Sequence, residues 1–243
     1  MKDRTISYME NFKVIFTGGS GLLGTAMKKL RPEFLYPTHD EFDVTDFDLM
    51  AQYIEYLPCV HIVHAASFIS PPKIEANPIK AIEINIIGTS NVVKLCAEYN
   101  LKFTYISTDY VFSGEKGNYK ETDDVNPTNK YAWSKLGGEC AARLYDKSLI
   151  IRTSFGPDIF PYDKAFGDQW TSRESVSEIS KKISSLIDKD IYGVVHVGGE
   201  RRTVLEYARS LSSDKVIGEI SIKDRPFKTP VDASLNTDYF KSL

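Results

Sequence analysis

The sequence predicts an α/β protein built on a doubly wound parallel sheet, and three observations carry that prediction. Short β-branched and apolar runs alternate with stretches of helical periodicity along the whole chain, the order that βαβ units require. One run, Cys59-Val60-His61-Ile62-Val63-His64-Ala65-Ala66, is apolar almost without a break, as a parallel strand buried on both faces must be. The first run, Lys13 to Thr17, ends at closely spaced glycines that open a helix. No internal repeat or low-complexity tract interrupts the pattern.

At 243 residues the chain can bury one large core, with room for a small appendage. Hydrophobic content of 42% and charged content of 26% are those of an ordinary soluble globular protein. A net charge of -3 with both signs interspersed argues against nucleic acid or an acidic membrane surface as the partner, because no basic stripe or polybasic run is present. Cys59, Cys96 and Cys140 are odd in number, widely spaced and without a C-x-x-C pair, so a reduced, cytoplasmic compartment is expected and a disulfide framework is not. No stretch approaches the roughly 18 consecutive apolar residues of a membrane span. Residues 1–11 lack the apolar segment of a signal peptide and read as a short flexible extension.

Gly18-Gly19-Ser20-Gly21-Leu22-Leu23-Gly24 follows the first strand, and Thr25 to Leu30 reads as helix. Spacing of Gly18, Gly21 and Gly24 suits a dinucleotide pyrophosphate, through a tight turn, close backbone approach and close helix packing respectively. Phe34 to Pro37 reads as a second strand, whose end selects the cofactor. There the signal is mixed: Thr38 and His39 could accept a 2′-phosphate, while Asp40 and Glu41, which suit the free ribose of NAD, stand close behind; NADP is preferred over NAD. Asp43 to Asp46 reads as the end of a third short strand, with Asp43 and Val44 beneath the adenine and Asp46 capping the next helix. Ala65, Ala66 and Ser67 are small residues against which a cofactor can lie. His61 and His64 read as structural, and no metal site is expected, since further ligands at sensible spacing are missing.

A helix runs from Pro78 to Tyr99, within which Asn85 is the amide expected to have a functional role. Phe103 to Ser107 is a strand that delivers Thr108, and Ser113 to Asn129 is a loop suited to substrate contacts. Helix resumes near Lys130 and continues to Tyr145, Ser148 to Thr153 is another buried strand, and Gly156 to Tyr162 is an irregular packed loop. A helix from Ser175, a strand from Gly193 to Val197 and a helix from Val204 to Leu211 follow. Residues 12–153 therefore read as a Rossmann-type dinucleotide-binding domain and 154–243 as a small, reduced substrate-binding portion, with 193–211 returning to the sheet.

Reducing a carbonyl with a nicotinamide needs a proton for the developing alkoxide and a hydrogen bond to that oxygen. Tyr131 can supply the proton if its phenol, ordinarily near pKa 10, is brought closer to neutrality. Lys135 stands one helical turn away on the same face, where its charge favours the phenolate. Thr108 supplies the second hydroxyl.

With these residues in view, the chain resembles the extended short-chain dehydrogenase/reductases, and within them the dTDP-4-dehydrorhamnose reductase-like group. The resemblance rests on Thr17 to Gly24, Asp43-Val44-Thr45-Asp46, His64-Ala65-Ala66, Asn85, Ser107-Thr108-Asp109-Tyr110-Val111-Phe112, Tyr131-x-x-x-Lys135, Arg152-Thr153-Ser154, Asp168-Gln169, Thr171-Ser172 and Arg225-Pro226. It implies hydride transfer from NADPH or NADH to C4 of a nucleotide-linked 4-keto-6-deoxyhexose. Tyr131 would be the acid, Lys135 would orient the nicotinamide ribose and Thr108 would bond the carbonyl oxygen. Ser67, Asn85, Ser107, Arg152 and Thr153 would join the cofactor site; Asp109, Tyr110, Val111, Phe155, Gln169 and Arg225 would line the sugar site. Some related enzymes also epimerise the sugar through a Cys after the catalytic hydroxyl, a position held here by Asp109, which implies reduction alone. Between Thr153 and Asp168 the chain is shorter than the group usually is, so the substrate lid is reduced or rebuilt. Competing readings are a nucleotide-sugar epimerase or dehydratase that recycles its cofactor and a cofactor-binding regulatory subunit. A homodimer is implied by the resemblance.

Overall fold

The structure, a computed structural model, describes residues 13–212 and 215–243; the extension expected over residues 1–11 lies outside them. Five strands form one parallel sheet: β1 (Lys13–Thr17), β2 (Cys59–His64), β3 (Lys102–Thr108), β4 (Ser148–Thr153) and β5 (Gly193–Val197), neighbours in that order. Helices α1 (Leu22–Leu30) and α2 (Phe47–Tyr56) join β1 to β2. Between β2 and β3 lie α3 (Pro71–Ala76) and a long helix, α4, which starts as Ile79–Ala81, passes through a π segment at Ile82–Gly88 and continues as Thr89–Glu98. Helix α5 (Lys130–Ala142) joins β3 to β4, and α6 (Val176–Ile187) joins β4 to β5. This is the Rossmann-type doubly wound sheet, carrying a small C-terminal portion.

The unbroken apolar runs follow from strand geometry, since successive side chains point to opposite faces and both faces are covered. Ile15, Ile62 and Ile150 enter a core with Met50 of α2 and Leu95 of α4. Their chain neighbours Phe16, Val63 and Ile151 enter a second core with Met27 of α1 and Ile183 of α6. Burying each such side chain contributes about 1.5–3 kcal/mol, so a shift of register by one residue would keep the burial but exchange the partners of every strand.

Two predicted strands do not form. Leu35 makes a single parallel bridge to Ile15, through Phe16 N–H to Leu35 O (2.8 Å) and Leu35 N–H to Val14 O (2.9 Å), and Pro37, which has no N–H to give, follows at once. Asp43 to Asp46 is a turn, because the Asp43 carboxylate accepts both the Thr45 N–H (2.9 Å) and the Thr45 hydroxyl (2.8 Å), a local bond that competes with any ladder. Asp46 caps α2 as expected, accepting from Leu49 N–H at 3.0 Å. Helix α1 starts at Leu22, three residues before the predicted start, and α5 stops at Ala142.

The C-terminal portion has short strand pairs, Lys164–Phe166 beside Gly218–Ile220 and Trp170–Thr171 beside Arg202–Thr203, around a core of Phe160, Ala165, Leu205 and Tyr207. Its tail returns to the loop after β3: Tyr119 N–H donates to Ser234 O (2.9 Å) and Asn236 N–H to Tyr119 O (2.7 Å).

Helix α5 lies unusually close to the sheet. A Cβ at Gly138 would stand 2.4 Å from the Tyr105 hydroxyl and 2.9 Å from the Asn85 carbonyl, and that same hydroxyl donates to Lys135 O at 3.1 Å. Gly138→Ala is expected to lower the unfolding free energy by about 1–2 kcal/mol. An overpacking cost of about 1–3 kcal/mol outweighs the gain of up to about 1 kcal/mol from better helix propensity. Urea denaturation compares the two proteins; equal midpoints would mean that the helix backs away freely.

Candidate active site

Thr17 ends β1 and passes directly into the glycine loop. Gly18 has φ +77°, and a Cβ there would stand 2.8 Å from Ala66 N and 2.9 Å from the Ala65 carbonyl carbon, so the ends of β1 and β2 touch where only small residues fit. At Gly24 a Cβ would stand 2.4 Å from Gly18 O, which is why α1 can begin flush against the loop. Gly21 caps α1 with no side-chain bond to the helix, and no acidic residue occupies its first turn. The free N–H groups and positive dipole end of α1 therefore face a cleft of about 530 Å³, as an anionic pyrophosphate requires.

The predicted cofactor residues divide in two. Residues Gly18 to Gly24, Thr38, His39, Asp43, Val44, Ala65, Ala66 and Ser67 line this cleft, as does Phe155, which the sequence had suggested for the sugar. Asn85, Ser107, Arg152 and Thr153 do not line it, because their side chains are buried and the first three are held by other partners, and Tyr131 and Lys135 do not line it either. Asn85 sits in the π segment of α4; its Oδ1 accepts from Ser67 Oγ (3.0 Å) and Phe68 N–H (2.7 Å), and its Nδ2 donates to Phe68 O (3.0 Å) and Ser134 Oγ (2.9 Å). All four hydrogen-bonding positions of the amide are filled, so Asn85 staples the loop after β2 to α5. Ser107 and Arg152 both bond the Glu139 carboxylate. Sequence reading missed Lys28, Tyr36, Phe68 and Lys80 in the cleft wall, since these come from helix and loop positions with no spacing signal.

Thr108 ends β3 and caps the single turn Asp109–Val111, accepting from Tyr110 N–H at 3.2 Å while its hydroxyl donates to Asp109 Oδ1 at 3.0 Å. Asn129 caps α5 by accepting from Ala132 N–H at 2.9 Å, which fixes Tyr131 in the first turn and Lys135 in the second. Lys135 is 3% exposed, with Nζ 4.2 Å from the Tyr105 ring centre. Burial pulls its ammonium down to about 7, against the opposing charge of Glu139. Tyr131 departs from the sequence expectation: burial, followed by the charge of Asp109, raises its phenol above the ordinary value, while a Thr108 hydrogen bond and the Arg173 charge oppose the rise. The phenol is thus held protonated. His61 and His64, both buried, are pushed down to about 3 by desolvation and bond Thr104 and Thr89, a structural use. Among the described residues no group of three or more His, Cys, Asp or Glu could hold a metal.

Of the predicted sugar residues, Asp109 is buried beside Tyr131. Tyr110 accepts from Gln169 Nε2 at 3.1 Å, and the same Nε2 donates to Pro230 O at 3.2 Å. Arg225 covers the Phe166 ring at 4.3 Å. Val111 is fully buried against Phe112, Tyr119 and Leu235, so its side chain is core and not wall. Arg173 and Ser154, absent from the prediction, face the same centre: Arg173 Nε donates to Ser154 Oγ at 3.3 Å, and both lower the Asp109 carboxyl.

Desolvation nevertheless dominates at Asp109, whose carboxyl is pushed up from 3.8 to about 6 and whose Oδ2 is buried without a partner. A folded-state value above the unfolded one means that the stabilisation is complete below the unfolded value and is lost as pH rises through 6, a change of about 3 kcal/mol for two pKa units. Relative to Asp109→Asn, the wild type is expected to lose about this much stability between pH 3.5 and pH 7. Urea midpoints across that range decide it, and parallel profiles would show that the carboxyl is not desolvated.

Comparison with known proteins places these features in context. The family model described as "RmlD substrate binding domain" matches residues 12–157. A dTDP-4-dehydrorhamnose reductase of Aggregatibacter actinomycetemcomitans is 32% identical over 197 residues, covering 77% of this chain; the chain spans 62% of that relative's length. The methionine adenosyltransferase 2 subunit beta of Bos taurus is 27% identical over 247 residues, covering 83% of this chain and 72% of that one. The crystal structure of a hypothetical dTDP-4-dehydrorhamnose reductase from Sulfolobus tokodaii superposes with a TM-score of 0.84 at 30% identity, covering 96% of this chain and 94% of the other.

Proposed function

The chain belongs to the RmlD substrate-binding-domain family, and from that premise we propose that it reduces the C4 keto group of a nucleotide-linked 4-keto-6-deoxyhexose with NADPH. The observation that carries this reading is that Thr108 at the end of β3 acts on the Tyr131 phenol, which is held protonated, with Lys135 buried one turn further along α5, while the glycine loop opens on a cleft suited to a dinucleotide. When bound, the reduced nicotinamide supplies the hydride. The loop Gly18 to Gly24 and the N-terminus of α1 would hold its pyrophosphate. Thr108 turns its hydroxyl from Asp109 to the substrate carbonyl, Tyr131 gives its proton to the developing alkoxide, and Lys135 offsets the phenolate left behind. Asp109, Tyr110, Gln169 and Arg225 form the sugar side. A carboxylate at position 109 in place of a thiol supports reduction without epimerisation.

Preference for NADP has its own support. The Glu41 carboxylate, which could bond a free ribose, accepts from Thr38 N–H (2.8 Å) and the Thr38 hydroxyl (2.9 Å). Lys28 stands in the cleft wall beside Gly19, with Nζ 5.4 Å from the Tyr36 ring centre, as a cation for a 2′-phosphate. Exposed Ile79, Ile82 and Ile87 on α4 and Trp133 on α5 support pairing of two copies through these helices.

A second reading, a regulatory subunit, is favoured by the likeness to methionine adenosyltransferase 2 subunit beta. Nicotinamide absorbance with dTDP-, UDP- and GDP-linked 4-keto-6-deoxyhexoses separates the two. Tyr131→Phe is expected to lower turnover by at least about 100-fold, the scale of a lost general acid, with cofactor binding retained. Absence of turnover by the wild type on every such sugar would favour the subunit reading. Lys28→Glu is expected to cost about tenfold or more in kcat/KM for NADPH, the scale of one charge-assisted contact, and to leave NADH nearly unchanged; equal losses with both would remove Lys28 from the phosphate site.

A further inference from the structure

Beneath the Tyr131–Lys135 pair lies a second set of charges that the reaction as described does not use. Glu139 stands one helical turn beyond Lys135 on α5 and is completely buried. Its Oε1 accepts from Ser107 Oγ at 2.6 Å and from Arg152 Nε at 3.0 Å; its Oε2 accepts from Arg152 Nη2 at 2.9 Å. Strand register explains the convergence, since Ser107 on β3 is paired with Arg152 on β4, side by side under the helix. Arg152 is itself completely buried, with its guanidinium 5.0 Å from the Phe112 ring centre and Nη1 without a partner among the described residues.

Burying a Lys, a Glu and an Arg together is costly. Desolvation of each ion amounts to several kcal/mol, and a well-packed apolar set of the same volume is often as stable. Stability alone therefore does not account for the cluster. Its placement does: the Ser107 end of the bond network is the residue before Thr108, and the Glu139 end is one turn from Lys135. The groups facing Lys135 are the Tyr105 ring, His64 and Glu139. His64 is neutral, so among the described residues Glu139 is the anion that acts on Lys135. Glu139 in turn faces Arg152, Arg143 at 3.8 Å and His196, whose ring burial pulls down to about 4.

We propose that Glu139 is a positioning residue for the reduction: its carboxylate, aimed by Arg152 and tied to Ser107, is the counter-charge that keeps the buried Lys135 protonated, and it locks the Thr108 end of β3 to α5. Arg152 competes with Lys135 for that carboxylate and so tunes how much charge Lys135 receives. The kinetic consequence rests on the reductase reading, but the charge on Lys135 can be read without turnover.

The test is an NMR titration of the protein labelled with 13Cε-lysine, without cofactor or substrate, in which Lys135→Met assigns the signal. Glu139→Gln is expected to move the Lys135 titration to lower pH by about one unit or more, a tenfold change in its protonation equilibrium. Arg152→Met is expected to move it to higher pH, because the carboxylate then answers to Lys135 alone. Opposite signs are the signature; a merely structural pair would lower the melting temperature in both variants and leave the Lys135 titration in place. Should Glu139→Gln not fold, Ser107→Ala, which removes one donor from the carboxylate at nearly constant volume, is expected to raise the Lys135 titration. An unmoved titration, or shifts of the same sign in Glu139→Gln and Arg152→Met, would overturn the proposal. In turnover, the loss of kcat/KM on raising pH is expected to begin at lower pH in Glu139→Gln and to return toward wild type in Glu139→Asp. If no 4-keto sugar is turned over at all, the reductase reading fails while the titration still decides the role of Glu139.

Discussion

Helix α5 reaches the sheet only because no side chain stands at Gly138. The Tyr105 hydroxyl fills that gap and bonds the Lys135 carbonyl, Asn85 reaches from α4 to Ser134, and Glu139 reaches down to Ser107 and Arg152. These contacts fall on successive residues of one helix face, at 134, 135, 138 and 139. Together they set the height and rotation of α5 over β3, and hence the distance between the hydroxyl at the strand end and the phenol on the helix. A proton transfer needs that distance held to a few tenths of an ångström. The polar pins achieve what apolar packing, which tolerates sliding, would not.

The same burial that fixes the geometry sets the charges. Desolvation raises Tyr131 and Asp109 and lowers Lys135, and in each case it is the largest cause. From the sequence, Lys135 was expected to draw the phenol toward neutrality. In the folded protein the lysine is too desolvated to be a dependable cation by itself, and Asp109 pushes the phenol the other way. A phenol kept protonated is the state a reduction consumes, which agrees with the acid role proposed for Tyr131.

Much of this was legible in the sequence. Apolar runs gave the sheet, since residues alternating into two cores must both be apolar, and the glycine spacing located the cleft, since Gly18 and Gly24 sit where a Cβ would strike backbone. What was missed depended on tertiary context. Asn85, Ser107 and Arg152 are polar residues in the right motifs, but their partners lie 13 to 49 positions away along the chain, so their inward orientation has no local signal. The strand predicted at Asp43 to Asp46 failed for the opposite reason, a bond two residues long that pattern reading underweighted. Arg173 had no signal at all.

The C-terminal portion bears on what the site can hold. Gln169 is positioned by Tyr110 and Pro230, and the tail after Asp232 is bonded to the loop around Tyr119, so the short portion is tied directly to the loop that follows Thr108. The Asp109–Val111 turn and the Ser154–Arg173 pair stand beside Tyr131. Val111 faces the core, which leaves Asp109, with one oxygen unpartnered among the described residues, and the Arg173 guanidinium as the charged groups that act on Tyr131. In the proposed reaction, recognition of the sugar would fall to a buried carboxylate and a cation acting side by side. Such a pair bonds vicinal hydroxyls well and rejects an apolar substituent, because burying either charge without a partner costs more than a methyl contact returns.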